Sequence, residues 1–327
     1  MKILVVCRYH GTHVAAFITE QADALRALGN EVQFVMAEQG GLKGYLRLLH
    51  DIRRTISEWH PDVIHAHFGI CGLVANLQRK VPVVVTYPGS DVNSAKTRPI
   101  SILSMRLSAY NLLMSKRQLE KVKGRVDESK IAIQCYGINL DAFPHTDKAE
   151  ARKAMELDAD KKYVLFSSKF VRRPEKDPQL AMAAIARLNE LLHSMSREHR
   201  SLNDKKDVEL LPLTGGYTKE EMATLMSAVD AALVTSKTEG SPQFTKEVMA
   251  CGCPIVSVDV GDVAEQVEGL DGCYISKTRE PEELAELLKK AMAFGKTKGY
   301  QHIINKHFDN QYIAQSLNAI YEEITTK

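Results

Sequence analysis

The sequence predicts an α/β protein of two doubly wound, parallel-sheet domains. Three observations carry that expectation. Val- and Ile-rich apolar runs alternate with segments of helical period, the pattern of βαβ units. Two such sets of similar size flank a charged stretch poor in regularly spaced apolar residues, Asp141 to Lys162. A chain of 327 residues is also long for one hydrophobic core, so two domains of about 150 residues each are the default.

The elements follow in order. "KILVVC" is a first strand, leading through His10, Gly11 and Thr12 into the helix "VAAFITEQADALRALG", whose Val14, Phe17, Ile18, Ala22 and Leu25 share a face and which stops at Gly29. "EVQFVM" is the second strand, before a Leu-rich helix from Tyr45 to Trp59. "DVIHAHF", opened by Pro61, and "VPVVVTY" are the third and fourth strands, with a short helix between them, and the first set closes around "KIAIQC". The charged stretch reads as a linker with one short helix. The second set then runs through the strand "KYVLFSS", the helix "PQLAMAAIARLNELLH", the strand "DVELLPLTGG", the helix "TKEEMATLMSAV" and the strand "AALVTS". After a loop and helix beginning "EGSPQ" come the strands "PIVSVD" and "GCYIS" and the helix "EPEELAELLKKAMAF". The expected domains are 1–150 and 155–304, with a helix at about 305–327 packing back on the first. Glu198 to Asp207 is the expected flexible loop.

Composition narrows the function classes. At 44% apolar and 26% charged residues the chain is an ordinary globular one, and a net charge of +2 gives no global pull toward nucleic acid. Six scattered cysteines suggest reduced thiols rather than a disulfide framework, and Cys251-Gly252-Cys253 has the wrong spacing for a zinc knuckle. "MKILVVC" starts directly with a strand, and no apolar run approaches the roughly 20 residues of a membrane span. The expectation is a soluble or peripheral protein of a reducing cytosol. No G-x-G-x-x-G follows the first strand, and Gly295-Lys296-Thr297 lacks the upstream glycine of a P-loop. Dinucleotide and P-loop chemistry are therefore disfavoured.

"EGSPQFTKEVMACGCP" supplies an alternative phosphate site. Ser241 suits the N-cap and Pro242 the first helical position, while Gly252 ahead of Cys253-Pro254 stops the helix. The amides of Gln243 and Phe244 would then point outward at the strand's carboxyl end and form an anion site. Glu239 sits before the cap, separated from it by Gly240, and Glu247 on the second turn. Carboxylates repel phosphate but accept hydroxyl hydrogens, each such charged bond being worth about 1.5–3 kcal/mol. A ligand with phosphates in the middle and hydroxyls at both ends fits, and a nucleotide sugar has that shape. Two domains facing each other would close one deep cleft over it.

Glu239 and Glu247, with seven residues between them, resemble the E-x(7)-E motif of the retaining glycosyltransferases of family 4, which have the two-Rossmann-domain GT-B fold. The resemblance runs nearly end to end, through "PDVIHAHF", "VPVVVTYPGSD", "KIAIQCYGINLDAF" and "TEGSPQFTKEVMACGCPIVSVDVGDVAEQV". "EGSPQ" with "DVGDV" is most similar to the branch that assembles bacterial cell-surface polysaccharides, such as capsular or teichuronic-type polymers. The resemblance implies that Glu247 binds ribose hydroxyls and Glu239 the donor sugar, where the bland reading is a pair of surface helix charges. Ser241 either caps the helix or touches the ligand.

A departing nucleoside diphosphate needs cations, and "SKFVRRPEKDP" offers Lys169, Arg172, Arg173 and Lys176. The family has an Arg and a Lys there in a shorter pattern. Lys176 matches that Lys, Lys169 stands where the Arg aligns, and Arg172 and Arg173 are not separable. With cations and a helix N-terminus on the diphosphate, neither metal nor cofactor is expected, and Asp158-Ala159-Asp160 reads as linker surface.

The first domain would take the acceptor and the sugar's far side. Gly11 suits close approach of backbone to ligand. His65 and His67 face the same side of a strand, His67 reaching for the cleft and His65 packed. In "TYPGSD" the family commonly has a His where this chain has Pro88, which leaves three readings: a substitute in Tyr87 or His10, a different sugar preference, or reduced activity. Asp91 anchors that loop. Lys96 to Lys130 carries nine Lys or Arg against three Asp or Glu, either a solvated face or a contact to an anionic bilayer holding a polyprenyl-linked or other glycan acceptor. The reading as a whole is a cytoplasmic, retaining glycosyltransferase. A nucleotide-sugar epimerase and a catalytically silent sugar-nucleotide-binding subunit are its rivals.

Overall fold

The computed structural model describes residues 1–9, 11, 13–144, 146–168, 173–198, 207–213 and 216–326. The chain divides into two units, Met1–Ile138 with His307–Lys327, and Asn139–Lys306. In the first, six parallel strands are β1 (Lys2–Arg8), β2 (Glu31–Ala37), β3 (Val63–His67), β4 (Val83–Tyr87), β5 (Tyr110–Leu113) and β6 (Ile131–Ile133), in the order β2-β1-β3-β4-β5-β6. Helices cover both faces, which is why these strands read as unbroken apolar runs. Along β1 the side chains alternate. Leu4 and Val6 pack with residues of helices Gly41–Trp59, Gly69–Asn76 and Arg98–Leu107, whereas Ile3, Val5 and Cys7 pack with residues of Ala16–Ala27 and of the final helix Asn310–Thr325. Tyr321 of that final helix is fully buried in the first unit.

The strand β5 has no counterpart in the sequence reading. It is Tyr-Asn-Leu-Leu, without β-branched residues, and its buried Asn111 serves as a polar hub, accepting from Tyr87 and donating to the Met105 carbonyl.

The second unit holds β7 (Lys162–Phe166), β8 (Val208–Pro212), β9 (Ala231–Val234), β10 (Ile255–Val258) and β11 (Tyr274–Ser276), all parallel, in the order β11-β10-β9-β7-β8. Its first helix is Lys148–Ala154, so the division falls after Ile138 and not near residue 150. The cause is an ionic knot. Asp230, at the entrance to β9 and 1% exposed, is within 2.6 Å of Lys148, 2.8 Å of Arg152 and 3.2 Å of Lys162, and accepts the Tyr163 amide. The charged stretch that reads as a linker is thereby pinned to the second sheet. The expected flexible loop falls, for residues 199–206, outside the described residues.

Among the described residues no helix is long and apolar enough to cross a membrane, and no group of three His, Cys, Asp or Glu is arranged to hold a metal ion. All six cysteines are free thiols.

Candidate functional site

The carboxyl end of β9 leads through a loop into the helix Gln243–Ala250. Pro242 is the N-cap of that helix, one residue later than the sequence suggests, and no side chain caps it. A proline N-cap has no N–H of its own, and the helix's first-turn amides face away from its body. The helix ends in a Schellman motif, with Cys253 N–H on the Val248 carbonyl and Gly252 N–H on that of Met249, Gly252 taking φ +69°. Phe244 is buried.

Ser241 is not the cap. Its hydroxyl accepts from Gln266 Nε2 at 3.0 Å and from Lys246 Nζ at 3.3 Å, because the loop turns its side chain inward instead of along the helix axis. Lys246 is wholly buried and also donates to Gln243 Oε1 at 2.9 Å. Gln266 in turn holds Asp262 Oδ1 at 2.7 Å. Burial pushes the Asp262 carboxyl up to about 6, against the pull of the Lys246 ammonium and the hydrogen bonds from Ser241 and Gln266. Gly261 lets this second loop lie against the first. A Cβ there would sit 2.8 Å from the Gly240 carbonyl and 3.0 Å from Glu239 Cβ, and the residue has φ +59°. Lys246, Asp262 and Gln266 escaped sequence reasoning, since a lysine and an acid beside helices are ordinarily solvent-facing. The glycine directly ahead of Asp262 in "DVGDV" was the available signal.

Lys176 and Glu239 stand 63 positions apart in sequence and meet here, Nζ to Oε1 at 2.6 Å, with side chains only 16% and 15% exposed. The approach is built from backbone. Thr235 Oγ1 bonds the Lys176 and Asp177 carbonyls, Lys237 N–H bonds the Glu175 carbonyl, and Asp177 adopts φ +52°. Arg279, which sequence reasoning missed, clamps the same turn through Asp177 Oδ2 and the Thr235 and Ser236 carbonyls. Glu247 is half-buried one helical turn beyond Gln243. Arg173 is exposed at the start of the short helical turn Pro174–Lys176. Lys169, Arg172 and His10 lie outside the described residues.

Two expectations for the first unit are overturned. His67 does not reach for open space. It is 1% exposed, stacks on His65 at 4.4 Å and bonds Tyr136 through Nδ1 at 2.7 Å. Both imidazoles face the layer that carries the final helix, where His65 bonds Thr86 and Tyr321, and burial lowers the pKa of each, that of His65 to about 3. Tyr87 is also fully buried, its hydroxyl bonded to Asn111 and Ser104. A sheet covered on both faces buries every residue along a central strand, so strand parity says nothing about access to the carboxyl edge.

Asp91 does anchor its loop, accepting the Gly69 amide at 3.0 Å and the Gly89 amide at 3.2 Å. Gly11 is exposed with φ +82°. Just past the strand ends lies a cavity of about 110 Å³ lined by Arg8, Phe68, Ile70, Asp91, Thr97 and Ile100, among others. Phe68 holds φ +75°, unusual for a bulky residue and costing of order 1–3 kcal/mol.

Comparison with known proteins agrees with both units. Residues 161–293 match the family described as glycosyl transferases group 1, and residues 2–119 match glycosyl transferase 4-like. The D-inositol 3-phosphate glycosyltransferase of Mycobacterium marinum is 24% identical over 248 residues, covering 66% of this chain and 53% of the relative. The chain thus spans about half the length of that curated relative. Among solved structures, sucrose-phosphate synthase from Thermosynechococcus elongatus superposes with a TM-score of 0.78 at 17% identity over 100% of both chains. Anabaena HepE in complex with UDP and glucose superposes with 0.73 at 18% identity, over 99% of this chain and 100% of that one. Likeness at this identity fixes the fold, which is GT-B.

Proposed function

We propose that the chain, whose two parts match the glycosyl transferase 4-like and group 1 families, transfers a sugar from a nucleotide-sugar donor to an acceptor hydroxyl with retention of configuration. The observation that carries this reading is the Lys176–Glu239 pair, whose carboxylate lies four residues ahead of the helix Gln243–Ala250. A cation for a diphosphate and a carboxylate for sugar hydroxyls stand within one hydrogen bond of each other.

In this reading Lys176 and the first-turn amides meet the charge that grows on the departing diphosphate. Glu239 accepts from hydroxyls of the transferred sugar and Glu247 from the ribose. The acceptor oxygen attacks from the face the diphosphate leaves, and a diphosphate oxygen takes its proton. No enzyme carboxylate acts as nucleophile, unlike the paired carboxylates of retaining glycosidases. Neither metal nor cofactor has a role in this scheme. The buried ties of Lys246, Ser241 and Gln266 hold the loop Gly240–Gln243 in one geometry, so little reorganisation accompanies reaction.

The acceptor is proposed to be a growing bacterial surface polysaccharide on a lipid carrier at the cytoplasmic face of the membrane, a reading supported by "EGSPQ" and "DVGDV". The test is a screen of nucleotide sugars for donor-dependent stabilisation, where ligand at a hundred times its Kd adds about 2.7 kcal/mol, followed by NMR of each hit with and without membrane extract. Release of nucleoside diphosphate with the anomeric configuration preserved in the product supports the proposal. Conversion without acceptor marks an epimerase, and tight binding without turnover a silent binding subunit.

A further inference from the structure

Among the described residues, thirteen large apolar side chains are exposed, and six of them, Leu42, Leu46, Leu77, Ile100, Leu103 and Leu107, lie on one helical layer of the first unit. That layer is formed by Gly41–Trp59, Gly69–Asn76 and Arg98–Leu107, which pack side by side and send Leu48, Ile52, Val74, Ile102 and Met105 inward to a shared core. Leu46 and Leu103 are each two positions from an inward residue, which turns them about 200° away, to the outer side.

The charge on this layer is one-sided. From Gly69 to Leu107 the sequence has one acidic residue, the buried Asp91, against Arg79, Lys80, Lys96, Arg98 and Arg106. Along Gly41–Trp59, Lys43, Arg47, Arg53 and Arg54 outnumber Asp51 and Glu58, with Asp51 paired to Arg54 at 3.4 Å and to Arg47 at 3.9 Å, so the net charge there is still positive. Arg98 bonds the Val92 and Asn93 carbonyls and Arg106 the Arg125 carbonyl, neutral acceptors that leave the positive charge in place.

We infer that this outer layer docks on an anionic lipid surface, with the leucines entering the acyl boundary and the Lys and Arg heads at the phosphates. A second copy of the chain is the poorer occupant, because a two-fold interface would set the same basic patch against itself. Ile70 and Ile100 also line the cavity next to Asp91, so a lipid-borne substrate would leave the bilayer beside it. That last step rests on the acceptor reading above. The docking itself is tested by binding, without turnover, so the two can fail separately.

The experiment is co-sedimentation of the full chain with vesicles of phosphatidylcholine alone and of phosphatidylcholine mixed with phosphatidylglycerol, at low and high salt. The expected result is capture by the anionic vesicles only, weakening with salt. Leu103→Ser combined with Leu107→Ser should lower capture at least about tenfold with an unchanged melting temperature, since both side chains are already about half exposed. Met182→Ser, which alters an exposed apolar residue of the second unit, should leave it unchanged. No capture, capture indifferent to lipid charge, or capture untouched by the leucine pair would overturn the inference. So would a dimer in sedimentation velocity that the leucine pair dissolves.

Discussion

Replacing Lys246 by Met keeps the length of a fully buried side chain and removes its ammonium. In the wild type the Asp262 carboxyl is raised by burial to about 6, from an ordinary 3.8, even with Lys246 pulling the other way. A raised acid destabilises the folded state. The penalty is absent below the unfolded value and grows with pH until the folded midpoint is reached. Without the ammonium that midpoint moves higher, so in the variant the penalty keeps growing where the wild-type penalty has levelled off. Each pH unit of extra growth is about 1.4 kcal/mol, and a variant whose Asp262 stays protonated to pH 8 loses about 3 kcal/mol relative to wild type between pH 6 and pH 8. Below pH 6 the carboxyl is largely protonated in both proteins and the extra loss vanishes. Urea unfolding of both at about pH 5 and pH 8 reads this directly. The expected result is a stability difference about 3 kcal/mol larger at the higher pH, abolished when Asp262→Asn is added to both backgrounds. A difference equal at the two pH values would refute the coupling.

Other expectations are as direct. Lys176→Ala and Glu239→Gln should each lower transfer about 10²–10³-fold. Because the pair is largely shielded, Lys176→Ala should also cost about 1–3 kcal/mol in denaturant unfolding, between the exposed and buried limits, so its stability loss will not be negligible. His65 is neutral in the fold and protonates near 6.5 once unfolded, so its contribution is intact above that pH and falls by about 1.4 kcal/mol per unit as pH drops toward 3. His65→Gln should therefore flatten the acid limb of the stability curve by that slope, and an unchanged limb would exclude the buried imidazole as its source. Asp230→Asn strips the shared partner from Lys148, Arg152 and Lys162 and should destabilise the second unit by about 3–5 kcal/mol, seen as early loss of hydrogen-exchange protection there.

Most strands were legible because sheets buried on both faces demand continuous apolar runs, and "KILVVC" or "AALVTS" admit few other readings. β5 was not, having an amide where the pattern asks for Val or Ile. The same double burial hid the carboxyl-edge residues. His67 and Tyr87 look accessible on a strand end but are buried, whereas Arg8 and Phe68, the last residue of β1 and the one just past β3, line the cavity. At the site, Glu239 and Lys176 could be named from motif and chemistry, and the structure supplied their meeting. The support beneath them was beyond reach, since a buried lysine held by a glutamine, a serine and a distant carboxylate has no local pattern.

The final helix also has a bearing on biosynthesis. Residues 307–326 pack on Ile3, Val5 and Cys7 and place the Tyr321 hydroxyl on His65, so the first unit's sheet leaves the ribosome well before the helix that completes its cover. Throughout translation of the intervening 168-residue unit, Asn139–Lys306, the part of that side not covered by Ala16–Ala27 stays open. A nascent chain stalled before Asn310 would expose a greasy, imidazole-bearing surface that chaperones recognise, and completion of this segment is what withdraws it.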